Sequence, residues 1–200
     1  LSHVDESFRE FYNNADLILV DGSPILMAIN LEAAEGRKPA IHPSRRIGST
    51  DWLPHILSGT QVRKVCVLGA SRESNRSFVE RYSDSATFLG IPGDPWNSSE
   101  ATQVYAKISA FDPDLTIVAL GMPLQENVVS ELVEAGVTGV LATVGGAVDQ
   151  LSGAQKNAPR WMGRFGVEWL WRLASDPRRL AHRYLVEPFA LAKLLMTREK

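Results

Sequence analysis

The sequence predicts an α/β fold: a doubly wound, mostly parallel sheet with helices on both faces, followed by a C-terminal helical appendage. Three observations predict it. Up to Gly146, short apolar runs that end at glycine alternate with amphipathic segments, and that alternation implies right-handed crossovers and a parallel sheet covered on both sides. Beyond Gly153 the strand pattern stops and only helical periodicity remains. The length, 200 residues and 22.0 kDa, suits one such domain plus an appendage. The predicted division is therefore 1–153 and 154–200.

Each element has its own signal. "ADLILVDG" (15–22), "RKVCVLGAS" (63–71), "ATFLGIPG" (86–93), "DLTIVALG" (114–121) and "GVLATVGG" (139–146) read as five buried strands. Helices are predicted over 24–35, 50–57, 73–82, 98–111 and 123–135. The fourth follows a Ser-Ser-Glu start, and the fifth carries proline in its first turn. In the tail, Trp161, Phe165, Trp169 and Leu173 recur at every fourth residue and make one apolar stripe. "SDPRRL" starts another helix, with Ser175 or Asp176 as cap and Pro177 in the first turn, and Glu187-Pro188 ends it before "FALAKLLM".

Charge is unevenly distributed. Residues 1–150 hold 11 Lys/Arg against 19 Asp/Glu, a net of −8, whereas residues 151–200 hold 10 against 4, a net of +6. "RWMGRFGVEWLWRLASDPRRLAHRYL" (160–185) concentrates six arginines and three of the five tryptophans. Such a block suits an anionic ligand or surface; a solvated basic helix pair explains the charge equally well.

Several chemistries are excluded. The lone Cys66 permits no internal disulfide and fits a reducing compartment. No run approaches the ~18 apolar residues of a spanning helix, and no signal peptide is visible. The chain opens at Leu1, so an N-terminal piece is expected to be missing. His3, His42, His55 and His182 are scattered, without zinc-site spacing. No G-x-x-x-x-G-K-[ST] loop exists, "VLGASRES" lacks G-x-G-x-x-G, and there is no G-x-S-x-G elbow. "DPD" (112–114) reads as a helix-to-strand turn. Nucleic acid is not an expected partner, because the basic block is short, the chain is acidic overall and no recognition motif is present.

In an open parallel sheet, ligands bind outside the carboxyl ends of the strands. Three sequences are predicted there. "VDGSP" offers Asp21; "ALGMPLQE" offers Gly121, Gln125 and Glu126; "TVGGAVDQLSG" offers Gly145, Gly146 and Asp149. Free N–H groups at such turns suit phosphates. Taken singly, each is also plain turn chemistry, and Asp21 also reads as a helix cap.

Read together, "ADLILVDGSP", "VALGMPLQE", "VGGAVDQLSG", "APRWMGRFGVEWLWRL" and "DPRRLAHRYL" resemble the WecG/TagA/CpsF glycosyltransferases of bacterial cell-surface polymer synthesis, from about residue 15 to about residue 189. The resemblance implies that residues 1–153 bind a nucleotide sugar. It implies inverting, metal-independent and cofactor-free transfer of N-acetylmannosamine, its uronic acid or glucose from a UDP-sugar. The implied acceptor is a polyprenyl-diphosphate-linked saccharide, met by a peripheral enzyme at the cytoplasmic membrane's inner face. Members are known to associate, which leaves a homo-oligomer open. They also carry a further strand and helix, with a polar Thr/Asn stretch, before the point where this chain starts. "RRIGSTDW" departs from the family's R-x-x-G-x-D-L by one residue, so Arg46 and Arg45 both remain candidates for the family arginine.

By this resemblance Asp21 is the catalytic base and Gln125 binds the donor sugar, with Glu126 as helper or as helix charge. Gly121, Gly145 and Gly146 leave room for the nucleotide, and Asp149 binds ribose or uracil, or caps a helix. Without a metal, cationic side chains must face the diphosphates. Arg172, Arg179 and Arg183 stand at helical spacings for that purpose, and a guanidinium suits phosphate better than an ammonium does. The apolar stripe is expected to pack the appendage rather than to enter a bilayer; Trp171 and the last helix are the candidates for membrane contact. The alternative is a non-catalytic adaptor that uses its basic, Trp-rich tail on a membrane or acidic partner.

Overall fold

The computed structural model describes residues 6–21, 23–34, 36, 39–42, 45–153, 171 and 173. By internal contacts the chain forms two compact units, Leu1–Lys156 and Asn157–Lys200. In the second, Trp171 and Leu173 are helical and half-buried; Arg172, Arg179 and Arg183 lie outside the described residues.

The first unit is built from α1 (Glu6–Asn13), α2 (Ser23–Ala34), α3 (Ser49–Leu57), β1 (Lys64–Gly69), α4 (Arg72–Tyr82), β2 (Thr87–Ile91), α5 (Ala101–Phe111), β3 (Leu115–Ala119), α6 (Leu124–Glu134), β4 (Val140–Thr143) and α7 (Ala147–Ser152); a single 3₁₀ turn, Ser98–Glu100, leads into α5. All pairings are parallel, in the order β2-β1-β3-β4. β1 is buried at every position but its first and β3 throughout, as central strands of a doubly covered sheet must be.

Alternation along the strands divides the core in two. Val65 and Val67 of β1, with Leu115, Ile117 and Ala119 of β3, pack against Leu53 and Leu57 of α3, Phe78 of α4 and Val148 of α7. Cys66, Leu68 and Val118 face Tyr105 and Ile108 of α5 and Val128 and Leu132 of α6, with Phe11 of α1 at the margin. Burial drives the Cys66 thiol up to about 12, so it is an inert core group. α4 therefore covers one face and α6 the other. The chain reverses direction across the sheet between β1 and β3, which is where an open α/β sheet leaves its ligand crevice.

The fold class is as expected, but the sheet has four strands rather than five. Residues 15–21 pair with no strand among the described residues; Leu17 is 75% exposed and Ile18 57%. One contact of the segment is with the chain before α3: the Ile47 N–H donates to the Val20 carbonyl at 3.1 Å. β propensity is present there, but a strand also needs a neighbouring backbone. Two helices were not anticipated, α1 and α7. The "DPD" segment behaves as the turn it was read to be: Asp112 caps α5 in the left-handed conformation, and Asp114 Oδ2 accepts from the Arg63 and Lys64 N–H groups. Those two bonds lower the Asp114 pKa.

At the switch point Gly69 has φ +109°, and a Cβ there would lie 2.4 Å from the Ala119 carbonyl oxygen. Ala70 follows at φ 58° and donates its N–H to that same oxygen at 2.8 Å. Gly69→Ala should therefore cost more than ~2 kcal/mol through strain and forced separation of β1 from β3. Chemical denaturation checks this; a midpoint equal to that of the parent would refute the tight approach.

Candidate active site

The carboxyl ends of β3 and β4 are joined by backbone, the Val144 N–H donating to the Val118 carbonyl at 3.0 Å, and beyond that by a side chain. Pro123 and Leu124 open α6, so Gln125 and Glu126 occupy its first turn, where the helix dipole favours a carboxylate. Both are buried, Gln125 at 6% exposure and Glu126 at 1%. Gln125 Oε1 accepts the Gly145 N–H at 3.0 Å, and Gln125 Nε2 donates to Glu126 Oε1 at 3.0 Å. The amide orientation is thereby fixed, since the reverse flip would set two donors face to face. Among the described residues no acceptor takes the second Nε2 hydrogen.

Glu126 receives a second donor, the Tyr12 hydroxyl, at 3.3 Å. Its other oxygen, Oε2, has no hydrogen-bond partner among the described residues. A buried acceptor left open is costly and marks a place worth explaining. Burial, then the Glu126 charge and this hydrogen bond, push the Tyr12 phenol up to about 12.

The glycines around this pair leave space. A Cβ on Gly121 would meet nothing within 4 Å, and one on Gly146 would meet only Gln150 Nε2 at 3.9 Å. Gly145 turns the chain at φ +53°, a conformation that favours glycine. Asp149 lies in the first turn of α7, half-buried.

Asp21 is not at a strand end, because residues 15–21 form no strand. It stands instead, exposed, at the start of α3: a Cβ on Gly48 would lie 2.6 Å from Asp21 Oδ1 and 3.2 Å from Asp51 Oδ2. Asp51 caps that turn by accepting the Gly48 N–H at 2.9 Å. Only glycine at 48 lets both carboxylates come this close. Arg46, half-buried, is next to Ile47, whose N–H holds the Asp21 segment; Arg45 is exposed.

The structure thus joins Gln125, Glu126 and Gly145 directly, and joins Asp21 to Gly48 at a different element. α3 and α7 pack on the same face of the sheet. Two contributors escaped sequence reasoning. Gly48 had a readable signal, a glycine before Ser-Thr-Asp at a helix start. Tyr12 had half of one: Phe8, Phe11 and Tyr12 show helical spacing, but nothing in that spacing points to Glu126.

The model of the glycosyl transferase WecG/TagA/CpsF family matches residues 1–200. The chain belongs to that family. It is a glycosyltransferase, and the adaptor alternative falls away. A relative from Bacillus subtilis (strain 168) is 26% identical over 199 residues, covering 98% of this chain and 75% of the relative. One from Bacillus spizizenii is 29% identical over 190 residues, covering 94% and 71%, and one from Staphylococcus aureus (strain MW2) is 25% identical over 201, covering 98% and 75%. Each of these relatives is named an N-acetylglucosaminyldiphosphoundecaprenol N-acetyl-β-D-mannosaminyltransferase. Among the described residues no helix is long and apolar enough to cross a membrane.

The bonds to Glu126 order its variants. Glu126→Ala strands the Tyr12 hydroxyl and a Gln125 N–H and should cost about 3 kcal/mol, whereas Glu126→Gln keeps an acceptor and should cost about 1 kcal/mol. Urea unfolding of both tests this; equal losses would contradict the bonding described.

Proposed function

We propose that this glycosyltransferase moves N-acetylmannosamine, or a near relative of that sugar, from a UDP-sugar to a polyprenyl-diphosphate-linked saccharide, inverting the anomeric centre without a metal. The acceptor and the sugar are carried over from the names of the relatives. The observation that carries the site is the buried Gln125–Glu126 pair clasped to Gly145, with one amide hydrogen that no acceptor among the described residues takes. That hydrogen binds a donor-sugar oxygen. The open faces of Gly121 and Gly146 take the nucleotide, and Asp149 contacts its ribose or uracil.

Asp21 is the base in this reading. Asp21 is an exposed carboxylate beside the start of α3, and positioned proton transfer is worth roughly 10²–10⁴ in rate. Charge building on the departing UDP needs compensation in a metal-free reaction. Arg46 and the tail guanidiniums of Arg172, Arg179 and Arg183 supply it, as preorganised cations act directly on the transition state. Residues 1–153 then form the nucleotide-sugar domain, and residues 154–200 a basic, Trp-rich appendage suited to the inner face of the membrane. A homo-oligomer is compatible with this reading.

Membranes incubated with the protein and a panel of radiolabelled UDP-sugars should gain label in the lipid fraction from one sugar, with or without chelator; no transfer from any of them rejects the reading. Asp21→Asn should leave UDP binding near normal, by calorimetry, while turnover falls about 10²–10⁴-fold. Unchanged turnover removes Asp21 from the role. Arg179→Ala should weaken UDP binding, and Arg179→Lys should restore it only in part; identical affinities for all three proteins reject the clamp.

A further inference from the structure

We propose that Tyr12 is a positioning residue for the sugar-binding amide, acting through Glu126 on Gln125; the inference rests on the role given to Gln125 above. Four groups from three separate parts of the chain form one line of hydrogen bonds. The Tyr12 hydroxyl donates to Glu126 Oε1, Gln125 Nε2 donates to that same oxygen, and the Gly145 N–H donates to Gln125 Oε1. α1 therefore reaches the turn between β4 and α7 by way of the first turn of α6.

The physical need for Tyr12 lies in how a glutamate carboxylate turns. Its terminal torsion is broad and roughly two-fold, so one hydrogen bond alone holds it poorly. Two donors converging on Oε1 fix the plane, which in turn fixes the Nε2 end of Gln125, while Gly145 fixes the other end. Bonds in such a chain polarise one another in a buried setting. Tyr12 itself is braced: its ring lies 4.8 Å from Phe8 and 5.4 Å, edge-on, from Phe11, and Phe11 packs into the core beside α6. With its phenol pushed up to about 12, Tyr12 stays a donor at any working pH.

A second tyrosine–glutamate pair on the same helix, with its glutamate exposed, offers a control. The Tyr105 hydroxyl of α5 donates to Glu131 Oε2 two turns along α6, with no link to Gln125. Tyr12→Phe and Tyr105→Phe each delete one phenol from one such bond, so a merely structural role for Tyr12 predicts similar behaviour.

The test compares the two variants by two readouts. In ¹⁵N-resolved NMR of the protein without ligand, Tyr12→Phe should shift the Gln125 side-chain amide pair and speed its exchange with water about tenfold; Tyr105→Phe should leave that pair in place. In the lipid-transfer assay, Tyr12→Phe should lower kcat about tenfold, which is ~1.4 kcal/mol of barrier, with KM for the UDP-sugar changed less than threefold and Tyr105→Phe at parental kcat. An unmoved Gln125 pair in Tyr12→Phe overturns the positioning role, as does an equal kcat loss in both variants. Should the parent protein transfer no sugar, the proposed function fails by itself, and the NMR comparison still decides the role of Tyr12.

Discussion

The hydrogen bond from the Gly145 N–H to the Gln125 side-chain carbonyl ties the turn after β4 to the first turn of α6. Among the described residues β4 is an edge strand, four residues long and half-buried after its exposed first residue, with β3 as its one partner. Left to strand pairing, the turn that follows it would be the loosest part of the carboxyl edge. Tying it to the first turn of α6 gives it the rigidity of a helix anchored by Val128 and Leu132 in the core. The amide that makes the tie cannot rotate without losing bonds at both ends, so its direction is already set. Preorganisation of that kind lowers the ordering cost of binding.

Two carboxylates of this unit have opposite surroundings. Glu126 is enclosed in protein, takes two donors on one oxygen and lies in a helix first turn. Its work is to hold other groups still. Asp21 is exposed, pressed against a glycine whose absent side chain is the reason it fits. Environment divides such groups into holders and proton carriers, and the proposed roles follow that division. The switch point between β1 and β3 adds a third constraint, since Gly69 and Ala70 both close on the Ala119 carbonyl.

Much of this was legible in the residues. The apolar runs of β1 and β3 are long enough, and uniform enough, to name themselves as central parallel strands, and the glycines after them mark the edge where ligands bind. The pattern of "GMPLQE" placed Gln125 and Glu126 on a strand–helix turn, and "TVGG" placed Gly145 on another. The run "ADLILV" was misleading because side-chain type reports a preference for extended backbone and says nothing of a partner. α1 was missed because eight residues with three aromatics carry a weak helical signal, and its purpose depends on a residue more than a hundred positions away.

By itself the sequence determined the fold class, the family and the chemical types gathered at the carboxyl edge, because these follow from local periodicity, turn chemistry and motif spacing. Tertiary structure alone decided that Gln125 is held at both ends, that Tyr12 reaches Glu126, and that Asp21 sits against Gly48 rather than at a strand end. Hydrogen bonds between distant segments depend on where the backbone carries each side chain, and no local pattern encodes that.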